Sequence, residues 1–258
     1  MEILPDELIL NILTYFKLKD LLNCSQASKR IRSISQDEKL WQRVDISDKK
    51  VSTEFLEMIL ENGCRFLDIS LGVTLENNIN IERCDLTQLD VSSYHESANT
   101  VLEKLLNSCH CLEKLAMRNS IILPNVILNI CVQNKTLQIL NLANCRGTIG
   151  PINQDLDFES VKIITDNCNN LKEINFSGSF GSRGFIDSER TIRYLVENIT
   201  ENIEKLDLGR VENIDDDDIH ILAQRFYELE NILELVSKEL NHLAAILHVY
   251  AGGLNFMK

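Results

Sequence analysis

Basic residues are scarce in this chain: 26 Lys and Arg stand against 39 Asp and Glu, for a net charge of −13 over 258 residues. The deficit falls almost wholly after residue 48, because the first 48 residues hold seven basic and eight acidic side chains. Phosphate contacts need Lys and Arg, so this balance argues against a nucleic-acid partner. It suits a basic protein partner or a soluble surface. None of the eight cysteines forms a CxxC pair; the nearest two are Cys109 and Cys111. No signal segment precedes the first helix, so reduced thiols in the cytoplasm or nucleus are expected. The Asn-x-Ser/Thr sequences at Asn23, Asn134, Asn175 and Asn198 are then chance matches, and Asn175 falls in a predicted strand. The five histidines are scattered, with no HExxH or H-x-E run and no recognisable Ser or Cys partner. That speaks against a resident metal, a cofactor or catalysis by the chain itself. The longest apolar stretch, Leu243–Leu254, is broken by His248 and two glycines, and falls short of the roughly 20 residues that span a bilayer.

The N-terminus is rich in helix signals. Leu4-Pro5-Asp6-Glu7-Leu8 places proline where its missing N–H costs nothing, and two carboxylates at the positive end of the helix dipole. Leu8, Ile9, Ile12, Leu13 and Phe16 then form a wide apolar stripe at helical spacing. Leu18, Leu21 and Leu22 open a second helix; Lys29, Arg30 and Arg32 form a basic face; Ser35-x-x-Glu38 reads as a capping box ahead of Leu40 and Trp41. Three short helices in 46 residues cannot bury so much Leu and Ile alone. Part of the stripe faces another chain or the following segment, unless the segment is simply a cap whose apolar face is internal.

From residue 67 onward, pairs of apolar residues separated by one position recur: Leu67/Ile69, Leu89/Val91, Leu115/Met117, Leu140/Leu142, Ile174/Phe176, Leu206/Leu208 and Leu233/Leu235. Most are preceded by a third anchor three residues earlier, as at Leu86, Leu112, Leu137, Leu171 and Ile203. The spacing is that of leucine-rich repeats, with two longer units. Trp41-x-x-Val44-x-Ile46 keeps the same phase. Helical stripes intervene: Phe55, Leu56, Ile59 and Leu60; Val101, Leu102, Leu105 and Leu106; Ile192, Leu195, Val196 and Ile199. A strand and a helix per repeat give an α/β fold: a short all-helical module followed by a right-handed solenoid, with parallel strands inside and helices outside. The expected divisions are 1–46, 47–235 and a helical tail or cap at 236–258. Most cysteines read as small buried residues, with Cys109 and Cys168 at helix ends and Cys145 in the small-residue slot after a strand.

Strand residues between the buried leucines point outward. They make Asp90, Lys114, Arg118, Ile139, Asn141, Asn175, Lys205 and Asp207 candidates for contact with a target protein. Asp215-Asp216-Asp217-Asp218 lacks the spacing of a calcium loop and reads as a helix cap. The glycines of the run Gly178–Gly184 are wrongly spaced for a phosphate loop. That run and Gly147–Asp157 read as loop insertions, with Arg183 a candidate contact.

The segment LPDELILNILTYFKLKDLLNCSQASKRIRSISQDEKLWQRVDIS resembles the F-box over its whole length, from the LPxEL opening to the DEKLWQ close. One departure is Ile31, where the family usually carries Trp. With the repeats, the resemblance is to F-box/leucine-rich-repeat proteins, in particular the S-phase kinase-associated branch. It implies a non-catalytic substrate receptor of an SCF-type ubiquitin ligase. It further implies that Leu4, Pro5, Leu8, Ile9, Ile12, Leu13, Leu21, Leu22 and Trp41 help form the surface for the adaptor subunit, which brings cullin and RING subunits. The implied target is a phosphorylated cell-cycle regulator, held together with a small cyclin-kinase accessory subunit. The alternative is a scaffold that occupies the adaptor without feeding ubiquitylation. A small-molecule sensor would need a longer arc and a basic pocket.

Overall fold

The computed structural model describes residues 4–70, 79–93, 99–147, 156–180, 186–211 and 214–225. Helices α1 (Asp6–Leu13), α2 (Leu18–Ser25) and α3 (Lys29–Ser35) form the N-terminal module. Pro5 stands immediately before α1, and its carbonyl accepts from the amides of Leu8 and Ile9. Ser28 caps α3 by accepting from Ile31 N. The expected Ser35–Glu38 capping box does not form. Partly buried Ile34 keeps the helix running, so Ser35 becomes its last residue and its hydroxyl donates to Arg32 O. Asp37 instead caps a single 3-10 turn, Glu38–Leu40, by accepting from Lys39 N.

Seven strands, each of three residues, follow: β1 (Arg43–Asp45), β2 (Phe66–Asp68), β3 (Gln88–Asp90), β4 (Lys114–Ala116), β5 (Ile139–Asn141), β6 (Glu173–Asn175) and β7 (Lys205–Asp207). They pair in chain order, all parallel and with no shift in register. The central residues form one buried row, Val44, Leu67, Leu89, Leu115, Leu140, Ile174 and Leu206. The sheet therefore begins at Arg43, inside the segment assigned to the helical module, because Val44 and Ile46 carry the repeat phase. β1 thus lies within residues 1–46, the segment expected to be the helical module. Leu233/Leu235 and the tail at 236–258 lie outside the described residues.

The helices between strands are α4 (Thr53–Glu61), α5 (Asn99–Ser108), α6 (Pro124–Gln133), α7 (Phe158–Asn167) and α8 (Ile186–Asn198), with α9 (Asp216–Arg225) after β7. From α5 to α9 each packs on the next. Their apolar stripes join the strand leucines in one continuous core. Three residues past the strand, the backbone turns left-handed at Asp48, Ser93, Asn119, Asn144, Gly178 and Arg210. There the first five donate their amides to a carbonyl of the next repeat, so the ladder continues beyond the strands. Cys145 fills its slot by donating to Met117 O, and burial raises its thiol, like that of Cys64, to about 12. All eight cysteines are free thiols.

Asn134 joins two repeats. It is 1% exposed; its carbonyl oxygen accepts from Leu112 N at 2.9 Å, and its amide donates to Ile130 O at 3.1 Å. No glycan fits there. Asn134→Ala orphans a buried backbone donor, and urea unfolding should report a loss of about 2 kcal/mol. An unchanged midpoint would mean that the Leu112 amide finds another partner.

Candidate functional site

Two surfaces stand out, and each is a consequence of how its element is buried. On α1, the inner side is anchored by Leu13, which is buried with Leu21 of α2. The opposite side is left uncovered: Leu4 is 51% exposed, and Leu8 and Ile12 are 48% exposed. These three recur every fourth residue, and Tyr15 and Phe16 extend them. An apolar stripe of this kind is the sort of surface that a partner protein covers. Arg30 of α3 fixes the helix by donating to Asp6 Oδ1 at 2.7 Å and to Leu4 O.

The nine residues assigned to adaptor contact therefore divide. Leu4, Pro5, Leu8 and Ile12 are exposed, and Ile9 and Leu22 are half-buried. Leu13, Leu21 and Trp41 are core residues and line no surface. Trp41 is 3% exposed, and its indole N–H donates to Ser35 O at 2.7 Å. It holds the end of α3 against the start of the sheet. A helical stripe this wide has two edges, and periodicity alone does not tell which one turns inward.

The second surface is the open face of the sheet. Register places its side chains in two rows. One runs Arg43, Phe66, Gln88, Lys114, Ile139, Glu173, Lys205; the other runs Asp45, Asp68, Asp90, Ala116, Asn141, Asn175, Asp207. Seven of the eight proposed target contacts lie in these rows. Arg118, two residues past β4, reaches back to Asp90 Oδ2 at 2.8 Å and Ser92 Oγ at 3.1 Å. The face is largely paired within itself. Lys205 Nζ meets Glu173 Oε1 at 2.7 Å, which raises the lysine pKa, and Asn175 Nδ2 donates to Asp207 Oδ2 at 2.9 Å.

The second row also has a structural duty that the sequence reading missed. Each Asp or Asn in it accepts, through Oδ1, from the amide two residues on: Ser47, Ser70, Ser92, Ala143, Ser177 and Gly209. These side chains close the turn after every strand but β4, which ends in Ala116. The Ser47 hydroxyl adds a second bond to Asp45, and holds its carboxyl below the usual range. Phe66 and Asp68 belong to the face although they were not among the candidates; the Leu67/Ile69 phase was the signal for them. Arg43 stacks over the Phe66 ring, 4.0 Å from its centroid.

The other candidates resolve locally. Ser179 and Phe180 are buried, with Phe180 against Phe176 at 5.3 Å between centroids, while Gly181, Arg183, Gly184 and residues 148–155 lie outside the described residues. Asp215 and Asp218 cap α9 reciprocally: Asp218 N donates to Asp215 Oδ1 and Asp215 N to Asp218 Oδ2. Among the described residues no group of three or more His, Cys, Asp or Glu side chains could hold a metal, and no helix is long and apolar enough to cross a membrane.

Residues 1–47 match the F-box-like family model. Similar solved structures include the tropomodulin C-terminal domain of Caenorhabditis elegans, with 12% identity over 58% of this chain and 88% of that one, at a TM-score of 0.41. Another is the leiomodin-1 actin-binding site 2, with 18% identity over 57% and 84% of the two chains, at a TM-score of 0.40. Likeness at that level transfers no activity.

The α9 cap yields a pH signature. The Asp218 side chain is 3% exposed, and desolvation pushes its carboxyl up from 3.8 to about 6, against the pull of Arg193, whose Nε lies 2.7 Å from Oδ1. The folded chain then binds this proton at a higher pH than the unfolded chain does. Its contribution to stability is complete below pH 3.8 and is lost as the pH rises through about 6. Thermal unfolding should show wild type losing stability relative to Asp218→Asn as the pH rises from 3.8 to about 6, with a level difference above that. A constant difference would place the titration elsewhere.

Proposed function

We propose that this chain is the substrate-recognition subunit of an SCF-type ubiquitin ligase. F-box segments bind the SCF adaptor subunit, and the match over residues 1–47 coincides with the exposed Leu4, Leu8 and Ile12 stripe. That coincidence is the observation that carries the reading. The adaptor brings cullin and RING subunits, and the open sheet face holds the target protein. The chain's part is proximity: it raises the effective concentration of a target lysine near a charged conjugating enzyme, with no active site or cofactor of its own.

Within the family, DEKLWQRVDIS, CHCLEKLAMRNS and TLQILNLANC are similar to the S-phase kinase-associated F-box protein. A phosphorylated cell-cycle regulator with a small cyclin-kinase accessory subunit is the target class that this similarity favours. The self-pairing of Lys205 with Glu173 and of Arg118 with Asp90 favours a second reading. In that reading the chain occupies the adaptor as a scaffold and presents few free charges to a target.

Co-expression with the adaptor, size-exclusion chromatography and a cullin pull-down test the first step. Leu8→Ala/Ile12→Ala should weaken adaptor binding by about 3 kcal/mol in calorimetry. The circular dichroism should be unchanged, since both side chains are half exposed. Full affinity in the double variant would sink the adaptor reading. Ubiquitin transfer in the reconstituted ligase separates receptor from scaffold.

A further inference from the structure

Between the helical module and the first repeat lies a cleft of about 950 Å³ that neither surface above accounts for. Lys17-Leu18-Lys19, at the entry to α2, forms one wall; Lys49-Lys50-Val51, in the turn from β1 to α4, forms the other. Arg43 of β1 adds a fifth cation. Among the described residues that line the cleft, Asp45 is the one carboxylate, and its Oδ1 is already bonded to Ser47. Five cations thus converge in one hollow of a chain whose net charge is −13.

Three of these cations are available. Lys49 Nζ donates to the Asp45 carbonyl, and Arg43 lies over Phe66. Lys17, Lys19 and Lys50 are exposed and meet no carboxylate among the described residues. Between the walls, Leu18, Leu22, Val51 and Phe55 are only partly buried, and leave apolar surface on the floor. Cations above an apolar floor fit carboxylates flanking a hydrophobic anchor. They fit a nucleic acid poorly, since the rest of the chain repels a polyanion over its whole length.

We infer that this cleft is a docking site for an acidic segment of a partner protein, seated with one apolar side chain on the Leu18/Leu22/Phe55 floor and its carboxylates against Lys17, Lys19 and Lys50. The site stands apart from the α1 stripe. Phe16 touches both, and Leu22 of the floor is also among the residues assigned to adaptor contact, but the lysines belong to the cleft alone.

The test uses the full chain and a fluorescein-labelled Glu-Glu-Asp-Leu-Phe-Glu-Asp-Glu peptide in fluorescence anisotropy. The expected result is saturable binding that weakens steeply with salt. It should fall about tenfold or more in Lys17→Glu/Lys19→Glu/Lys50→Glu, and hold in Lys114→Glu/Lys205→Glu on the open face. Circular dichroism confirms that both variants fold. Leu8→Ala/Ile12→Ala should keep the peptide whether or not it keeps the adaptor, so the two readings fail separately. Four results overturn the inference: no saturation by wild type, equal binding of a Gln/Asn version of the peptide, undiminished binding by the triple cleft variant, or displacement of the peptide by the adaptor.

Discussion

Everything in this molecule hangs on in-register parallel pairing of strands only three residues long. One buried side chain per strand is too little to hold a strand in place; at about 1.5–3 kcal/mol for each fully buried Leu or Ile, a repeat standing alone would not fold. The central row from Val44 to Leu206 is stable because its members pack on one another and on the helix stripes in one core. Cooperation between neighbours replaces strand length. The left-handed turns and the Asp/Asn locks at six of the seven strand exits extend the pairing without adding apolar residues.

That constraint governs how the helical module attaches. Its end is not a linker but β1 itself, which pairs with β2 while the Gln42 carbonyl accepts from the Arg65 and Phe66 amides. Trp41 closes the joint from the other side through Ser35. Module and repeats thus share a strand and a core, and the stripe on α1 keeps a fixed relation to the open face. For a receptor that works by proximity, such a joint matters more than any single contact, because a target held on a swinging support gains less effective concentration.

Much of this was legible from the residues. The Leu-x-Leu phase located every described strand, and carried back to Val44 and Ile46 it located the first one as well. The spacing of Leu8, Ile9, Ile12, Leu13 and Phe16 located the apolar stripe of α1, but not which of its edges is exposed. What the sequence hid has physical causes. Leu13, Leu21 and Trp41 have the same apolar chemistry as their exposed neighbours, and only tertiary packing sorts them. The left-handed slot is filled by Asp, Ser, Asn, Gly or Arg, so no residue type announces it; the amide ladder imposes it. Ser35 and Glu38 had the letters of a capping box, but the helix before them did not stop in time. Asp90, Asn141, Asn175 and Asp207 looked like free ligands for a partner, and each proved to spend one oxygen on its own turn.

The two rows of the open face meet the cationic cleft at β1, since Arg43 and Asp45 belong to both. Charge therefore changes along one continuous surface: lysines at the module, then the carboxylates Asp45, Asp68 and Asp90 on three successive strands, then the amides Asn141 and Asn175. An extended partner crossing it would need acidic residues at one end and basic or amide groups further on. A uniformly charged chain satisfies only one stretch and is repelled by the next. That order of charged and amide groups follows the order of the strands. Register enforces it, because a strand displaced by one residue would turn its Asp or Asn into the core.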